Sequence, residues 1–281
     1  MRRSRLFVSV IVLFVSSLSV LASEVGDLLS QADLLVDPQH GEFDFAGYEA
    51  RLRGAIELYE QALPLLSADD PARQTTLHAL ARSYFELAEA YLPTGDDQES
   101  AYVAGKDYAL EALRLDPEFV EREKASFRDA LSHANDVAAL LWYGNNQGLY
   151  LGYHMFEALL SGGTLDVPAC YERAIELDET FLAGAPLRSL ACFLAQAPGF
   201  FGGDMERSRE LFERAIAIAP EYLENKTDLA EWVLKPAKDE TFCAVLTEVY
   251  AQAADPAVMA AWPLYNALAI TQADRLSADC P

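Results

Sequence analysis

The chain has 281 residues, and 44 acidic side chains against 21 lysines and arginines give a formal net charge of -23. That balance speaks against nucleic acid as a partner, since phosphate binding needs net cationic patches, and it repels anionic lipid surfaces. The length suits one large domain or an extended repeat array.

The first element is an export signal. Arg2, Arg3 and Arg5 form a positive n-region, and an apolar run from Leu6 to Leu21 follows, broken only by Ser9, Ser16, Ser17 and Ser19. Val20-Leu21-Ala22 then gives a signal peptidase site, so residues 1–22 are expected to be removed and residues 23–281 to form the mature protein in the periplasm. An uncleaved anchor helix is the alternative. No cysteine stands near the cleavage point, so no lipid attachment is expected, and no later stretch reaches the length of a membrane span.

The remaining pattern is helical. Between Pro71 and Leu92 the residues Leu77, Leu80, Ala81, Tyr84, Ala88, Tyr91 and Leu92 recur at steps of three and four, which places them on one helix face. Asp70-Pro71 supplies an N-cap and a first-turn proline, and Asp37-Pro38, Asp116-Pro117 and Asp255-Pro256 repeat the signal as helix starts or stops. No alternating β-branched run competes.

One phrase recurs at the ends of helices. Tyr59-Glu60-Gln61-Ala62-Leu63, Leu110-Glu111-Ala112-Leu113, Tyr171-Glu172-Arg173-Ala174-Ile175 and Phe212-Glu213-Arg214-Ala215-Ile216 each set a small alanine before an aliphatic. This matches the second helix of a tetratricopeptide hairpin, where the alanine admits the first helix. The alanines at 62, 112, 174 and 215 are spaced wider than the roughly 34 residues of a regular repeat. The expected fold is therefore all-α: tetratricopeptide-like hairpins in an irregular α-solenoid that can close around a cavity. Hairpins are placed near 25–66, 72–115, 133–178, 184–218 and 220–252, with a linking helix at 118–131 and a last helix near 257–275.

The richest local chemistry runs from Leu141 to His154. Trp142, Asn146, Tyr150 and Tyr153 share one helical face, Tyr143 adds a further ring, and Gly144, Gly148 and Gly152 recur every fourth residue, which permits close approach of a helix or a ligand. The competing reading is aromatic packing against a neighbouring repeat. Arg188, on an apolar helix, either pairs with a buried acid or meets a ligand carboxylate. Gly202-Gly203-Asp204 reads as a turn and an N-cap. Asn225-Lys226-Thr227 is a formal glycosylation sequon.

Catalytic and metal chemistry leave little trace. His40, His78, His133 and His154 show no metal-like spacing with cysteine or one another, and no nucleophile or P-loop motif occurs, so neither an enzyme nor a cofactor is expected. Cys170, Cys192, Cys243 and Cys280 allow three pairings in an oxidising compartment, with burial as small apolar side chains the alternative for Cys170 and Cys192.

A family resemblance rests on the order of several phrases. Arg173-Ala174-Ile175-Glu176-Leu177-Asp178 precedes Ala185-Pro186-Leu187-Arg188-Ser189-Leu190; Pro198-Gly199, Gly202-Gly203-Asp204, Phe212-Glu213-Arg214-Ala215 and Asn225-Lys226 follow. This order resembles the T-component of tripartite ATP-independent periplasmic (TRAP) transporters. The resemblance implies a tetratricopeptide-like periplasmic accessory protein that docks a solute-binding protein of the transporter. It also implies a hydrophobic small ligand held in a cavity, and it brings in homo-oligomer formation. On its strength Trp142, Tyr143, Asn146, Tyr150, Tyr153 and Arg188 are taken as ligand-binding residues. The missing lipobox cysteine departs from the common lipoprotein form of that family. A tetratricopeptide scaffold of the cell envelope without a small ligand remains the alternative.

Overall fold

The computed structural model describes residues 23–37, 43–154 and 163–280, and these are all-helical, with no strand among them. The export signal at 1–22, together with Pro38 and His40, lies outside the described residues. Among the described residues no helix is long and apolar enough to cross a membrane.

Among the described residues, fourteen α-helices follow in chain order. They are α1 (23–36), α2 (Phe45–Ala62), α3 (Pro71–Tyr91), α4 (Asp96–Leu113), α5 (Pro117–Glu123), α6 (Phe127–His133) and α7 (Val137–Tyr153). Then come α8 (Gly163–Asp178), α9 (Phe181–Gln196), α10 (Met205–Ile218), α11 (Glu224–Leu229), α12 (Phe242–Ala253), α13 (Pro256–Ala261) and α14 (Pro263–Ser277). Helix α11 runs on through a π-helical turn, Ala230–Leu234, into Lys235–Ala237.

Aspartate caps explain most of the starts. Asp44, Asp70, Asp116, Asp136, Asp204 and Asp255 each accept from a first-turn amide, at 2.8–3.2 Å, where helix N–H groups otherwise lack partners. Three of these are Asp-Pro pairs, with proline in the first turn where its missing N–H costs nothing. The linking helix at 118–131 is two helices, α5 and α6, because Ser126 caps a new start by accepting from the Asp129 amide. The last helix is likewise divided, at Trp262-Pro263.

Sequential helices pack in pairs: α3 against α4, α7 against α8, and α9 against α10. Ala62, Ala174 and Ala215 are fully buried and Ala112 nearly so. At Gly144 a Cβ would stand 2.6 Å from the Tyr171 ring, so only glycine lets α7 and α8 approach this closely. One buried apolar cluster extends from Ala32 to Leu276.

Long-range contacts curl the chain back on itself. The Tyr265 hydroxyl of α14 donates to Glu86 of α3 at 2.7 Å across 179 residues of sequence. A disulfide joins Cys243 of α12 to Cys280 just beyond α14. Of the other cysteines, Cys170 is fully buried and Cys192 half-buried, and both are unpaired.

Candidate functional site: an acidic-walled cavity

Six helices surround a cavity of about 890 Å³. Each contributes one face at helical spacing. Helix α3 presents Phe85, Glu86 and Glu89; α7 presents Asn145, Gly148, Leu149 and Gly152; α8 presents Thr164, Val167 and Tyr171. Helix α9 adds Arg188, Cys192 and Phe193, and α14 adds Leu264, Tyr265, Leu268, Gln272 and Arg275. Glu224 and Asp228 come from α11, and its π-helical turn carries Glu231 and Trp232. A π-turn inserts an extra residue per turn, re-aims side chains, and is frequent at functional sites.

Arg188 is the hub of the polar wall. Its Nη1 lies 2.7 Å from Glu224 and 3.1 Å from Asp228, and its guanidinium sits 5.4 Å from the centre of the Tyr222 ring. Tyr222 in turn donates to Glu224 at 2.8 Å. Burial works against the charged guanidinium, but Glu224, Tyr222 and Asp228 outweigh it and hold the Arg188 pKa well above its ordinary value. The Arg188 Nε has no hydrogen-bond partner and is sealed from solvent. Asp228 also accepts from Gln272 at 3.0 Å, and Gln272 donates to Glu231 at 2.7 Å, so the network reaches α14 and Arg275.

The backbone that delivers Arg188 is strained. Leu182, Ala183 and Gly184 take φ of 43°, 60° and 81°, in the left-handed region that costs ordinary residues roughly 1–2 kcal/mol each. Asn225, fully buried, holds the turn by donating to the Ala183 and Ala215 carbonyls, each at 3.1 Å. The sequon at Asn225 is therefore closed to glycosylation in the folded protein.

Two wall acids have raised pKa values. Burial pushes the Glu224 carboxyl up to about 7 against the pull of Arg188, with Asp228 adding to the rise. Burial also raises the Glu89 pKa, opposed by the hydrogen bond it accepts from Tyr102. The sign follows from linkage. Between 4.5, the ordinary Glu224 value, and about 7, the native state keeps a proton that the unfolded chain has released. Stability from this group is complete below 4.5 and lost as the pH rises to about 7. Glu224→Gln should flatten that fall, whose slope is at most about 1.4 kcal/mol per pH unit for one proton. Urea denaturation at pH 5 and pH 7.5 measures it, and an equal fall in wild type and variant refutes it.

Of the residues expected at a ligand site, the structure brings Arg188 to this cavity. The others lie elsewhere on α7. Asn146 is fully buried and donates to the Ala81 and Trp142 carbonyls at 3.2 and 2.8 Å. Trp142 packs on Phe85 and lines a separate void of about 10 Å³. Tyr143 packs on Phe127, Tyr150 stacks near His154 and Lys106, and the Tyr153 hydroxyl bonds Gln98. The shared face of Trp142, Asn146, Tyr150 and Tyr153 is thus covered by α3 and α4. Gly148 and Gly152, at the cavity, are the other part of that helix which close approach singled out. Sequence reading missed Glu89, Glu224 and Asp228. The signal for the last two was a run of polar residues, Asn225 to Asp228, inside a stretch with apolar residues on both sides.

A family model described as TRAP transporter T-component matches residues 56–280, which include every residue named above as lining the cavity. An uncharacterized protein of Treponema pallidum (strain Nichols) is 26% identical, in a match covering 56% of this chain. The matched part spans 58% of that relative's length, less than two thirds of it.

Proposed function

The chain belongs to the TRAP transporter T-component family, and from that membership we propose that it is an exported accessory protein of solute uptake that docks a transporter solute-binding protein and holds a small, largely apolar ligand. The observation that carries the ligand half is the cavity of about 890 Å³ at the meeting of six helices. Small-molecule sites of roughly 300–1,000 Å³ are mostly apolar with a few placed polar groups. Phe85, Leu149, Val167, Tyr171, Phe193 and Leu268 provide the apolar wall, and Arg188 with its acids provides the polar pole.

We read residues 1–22 as a removed export signal and 23–281 as one tetratricopeptide-like unit. The continuous buried cluster and the sequential helix pairs support this reading. The Cys243–Cys280 disulfide suits an oxidising compartment such as the periplasm. Trp142, Tyr143, Asn146, Tyr150 and Tyr153 then act behind the wall, fixing α7 so that Asn145, Leu149 and Gly152 face the ligand.

Native mass spectrometry of the protein purified from its own periplasm tests the ligand half. A retained small molecule is expected in wild type and absent from Gly152→Phe. A Cβ at Gly152 meets nothing within 4 Å, so the ring fills the cavity without moving the helix. Wild type free of ligand, or Gly152→Phe still loaded, overturns it. The docking half predicts a defined complex with the solute-binding protein of the same transporter by calorimetry. No heat of binding at micromolar concentrations sinks it.

A further inference from the structure

We propose that the ligand of this cavity carries a protonated amine on its apolar body, with the ammonium seated at Glu89 and a neighbouring polar group at Asn145. This rests on the reading of the cavity as a ligand site. Three observations carry it.

The first is charge. Among the described residues the wall bears five carboxylates, Glu86, Glu89, Glu224, Asp228 and Glu231, against two guanidinium groups, Arg188 and Arg275. Both arginines are committed: Arg188 to Glu224 and Asp228, and Arg275 to Glu231. Glu86 already has Arg82 at 2.6 Å. Glu89 alone of the five forms no ion pair and accepts only from the Tyr102 hydroxyl. It lines the cavity and remains reachable from it, though protein crowds it on its other sides. Glu89 is open to the cavity and has no cation partner, so a ligand ammonium can form a charge-assisted hydrogen bond with it.

The second observation is an unused amide. Asn145 is only 7% exposed, lines the cavity, and its side chain finds no hydrogen-bond partner among the described residues. An amide that opens on the cavity and is not spent on a protein partner is available to a polar group of a ligand. The third is the set of rings around the same space, Phe85, Tyr171, Phe193 and Trp232, whose faces attract cations. A ligand carboxylate, by contrast, would have to displace Glu224 and Asp228 from Arg188, and its head would lie among five wall acids.

Three probes with the same twelve-carbon chain separate the possibilities: dodecylammonium, dodecanol and dodecanoate, titrated calorimetrically into the mature protein in physiological salt. Dodecylammonium should bind one-to-one and roughly tenfold tighter than dodecanol, the worth of a charge-assisted hydrogen bond. Dodecanoate should bind weakest. Glu89→Gln should bring the ammonium down to the affinity of the alcohol while leaving the alcohol unchanged, which also reports that the variant is folded. Dodecanol or dodecanoate matching the ammonium overturns the proposal. So does a preference that survives Glu89→Gln, since overall negative charge would then explain it. If none of the three binds, the ligand cavity itself falls, and this proposal with it.

Discussion

Replacing Arg188 by methionine should destabilise the protein by about 3–5 kcal/mol at pH 7.5, the cost of stripping the cation from a buried ion pair. Glu224 and Asp228 would be left facing one another with Tyr222, Gln272 and the weak Cys192 thiol as donors, and their side chains are 16% and 11% exposed. The Tyr222 ring would also lose the guanidinium above it. The effect depends on pH in a defined direction. Arg188 is what holds the Glu224 pKa down against burial and Asp228, so without it Glu224 takes up a proton more readily on acidification and one of the two orphaned charges disappears. The loss should therefore shrink on acidification. Adding Glu224→Gln and Asp228→Asn to Arg188→Met should recover most of it, since the uncompensated charge rather than lost packing causes the damage. Urea denaturation of wild type, the single variant and the triple variant at both pH values measures this. A loss below 1 kcal/mol, or a triple variant as weak as the single one, refutes the reading of Arg188 as the hub of the wall.

Opening the Cys243–Cys280 disulfide should cost about 3–4 kcal/mol, the loop-closure entropy returned to the unfolded chain by a bridge spanning 37 residues. For a domain of this size that corresponds to a fall in Tm of roughly 6–8 °C. The bridge pins the end of α14 against α12, and α14 supplies Leu264, Tyr265, Leu268, Gln272 and Arg275 to the cavity. Reductant should lower the Tm of the wild type and leave a Cys243→Ser, Cys280→Ser variant unchanged at the lower value. Reduced wild type should also lose affinity for an apolar probe before it melts, since α14 forms one side of the site. Identical melting with and without reductant would show that the bridge adds nothing.

Helix α7 shows the limit of periodicity as a guide to a site. The four-, four- and three-residue steps of Trp142, Asn146, Tyr150 and Tyr153 do place them on one side of the helix. What covers that side depends on helices distant in sequence: Ala81 and Phe85 of α3 meet Asn146 and Trp142, and Gln98 and Lys106 of α4 meet Tyr153 and Tyr150. The cavity takes the neighbouring stripe, Asn145, Gly148, Leu149 and Gly152, in which the sequence pointed only to the glycines and the amide. Glu89 was equally hidden. On an amphipathic helix an acid beside Ala88 and Ala90 reads as a solvated face, and nothing local announces that it borders a space lined by five other helices.

What could be read along the chain was whatever depends on near neighbours. Asp-Pro caps, the recurring alanines and three- and four-residue apolar steps act over one or two helical turns, so the helices and their family order were legible before any coordinates. The pairing of Arg188 with Glu224 and Asp228, the choice of cysteines and the acid-walled space were decided by the tertiary structure alone. Each needs groups between 36 and 179 residues apart to meet, as in Cys192 with Asp228 and Glu86 with Tyr265. Hydrophobic burial brings them together without encoding the partner in either segment, because it rewards the removal of apolar area and not the identity of what lies opposite.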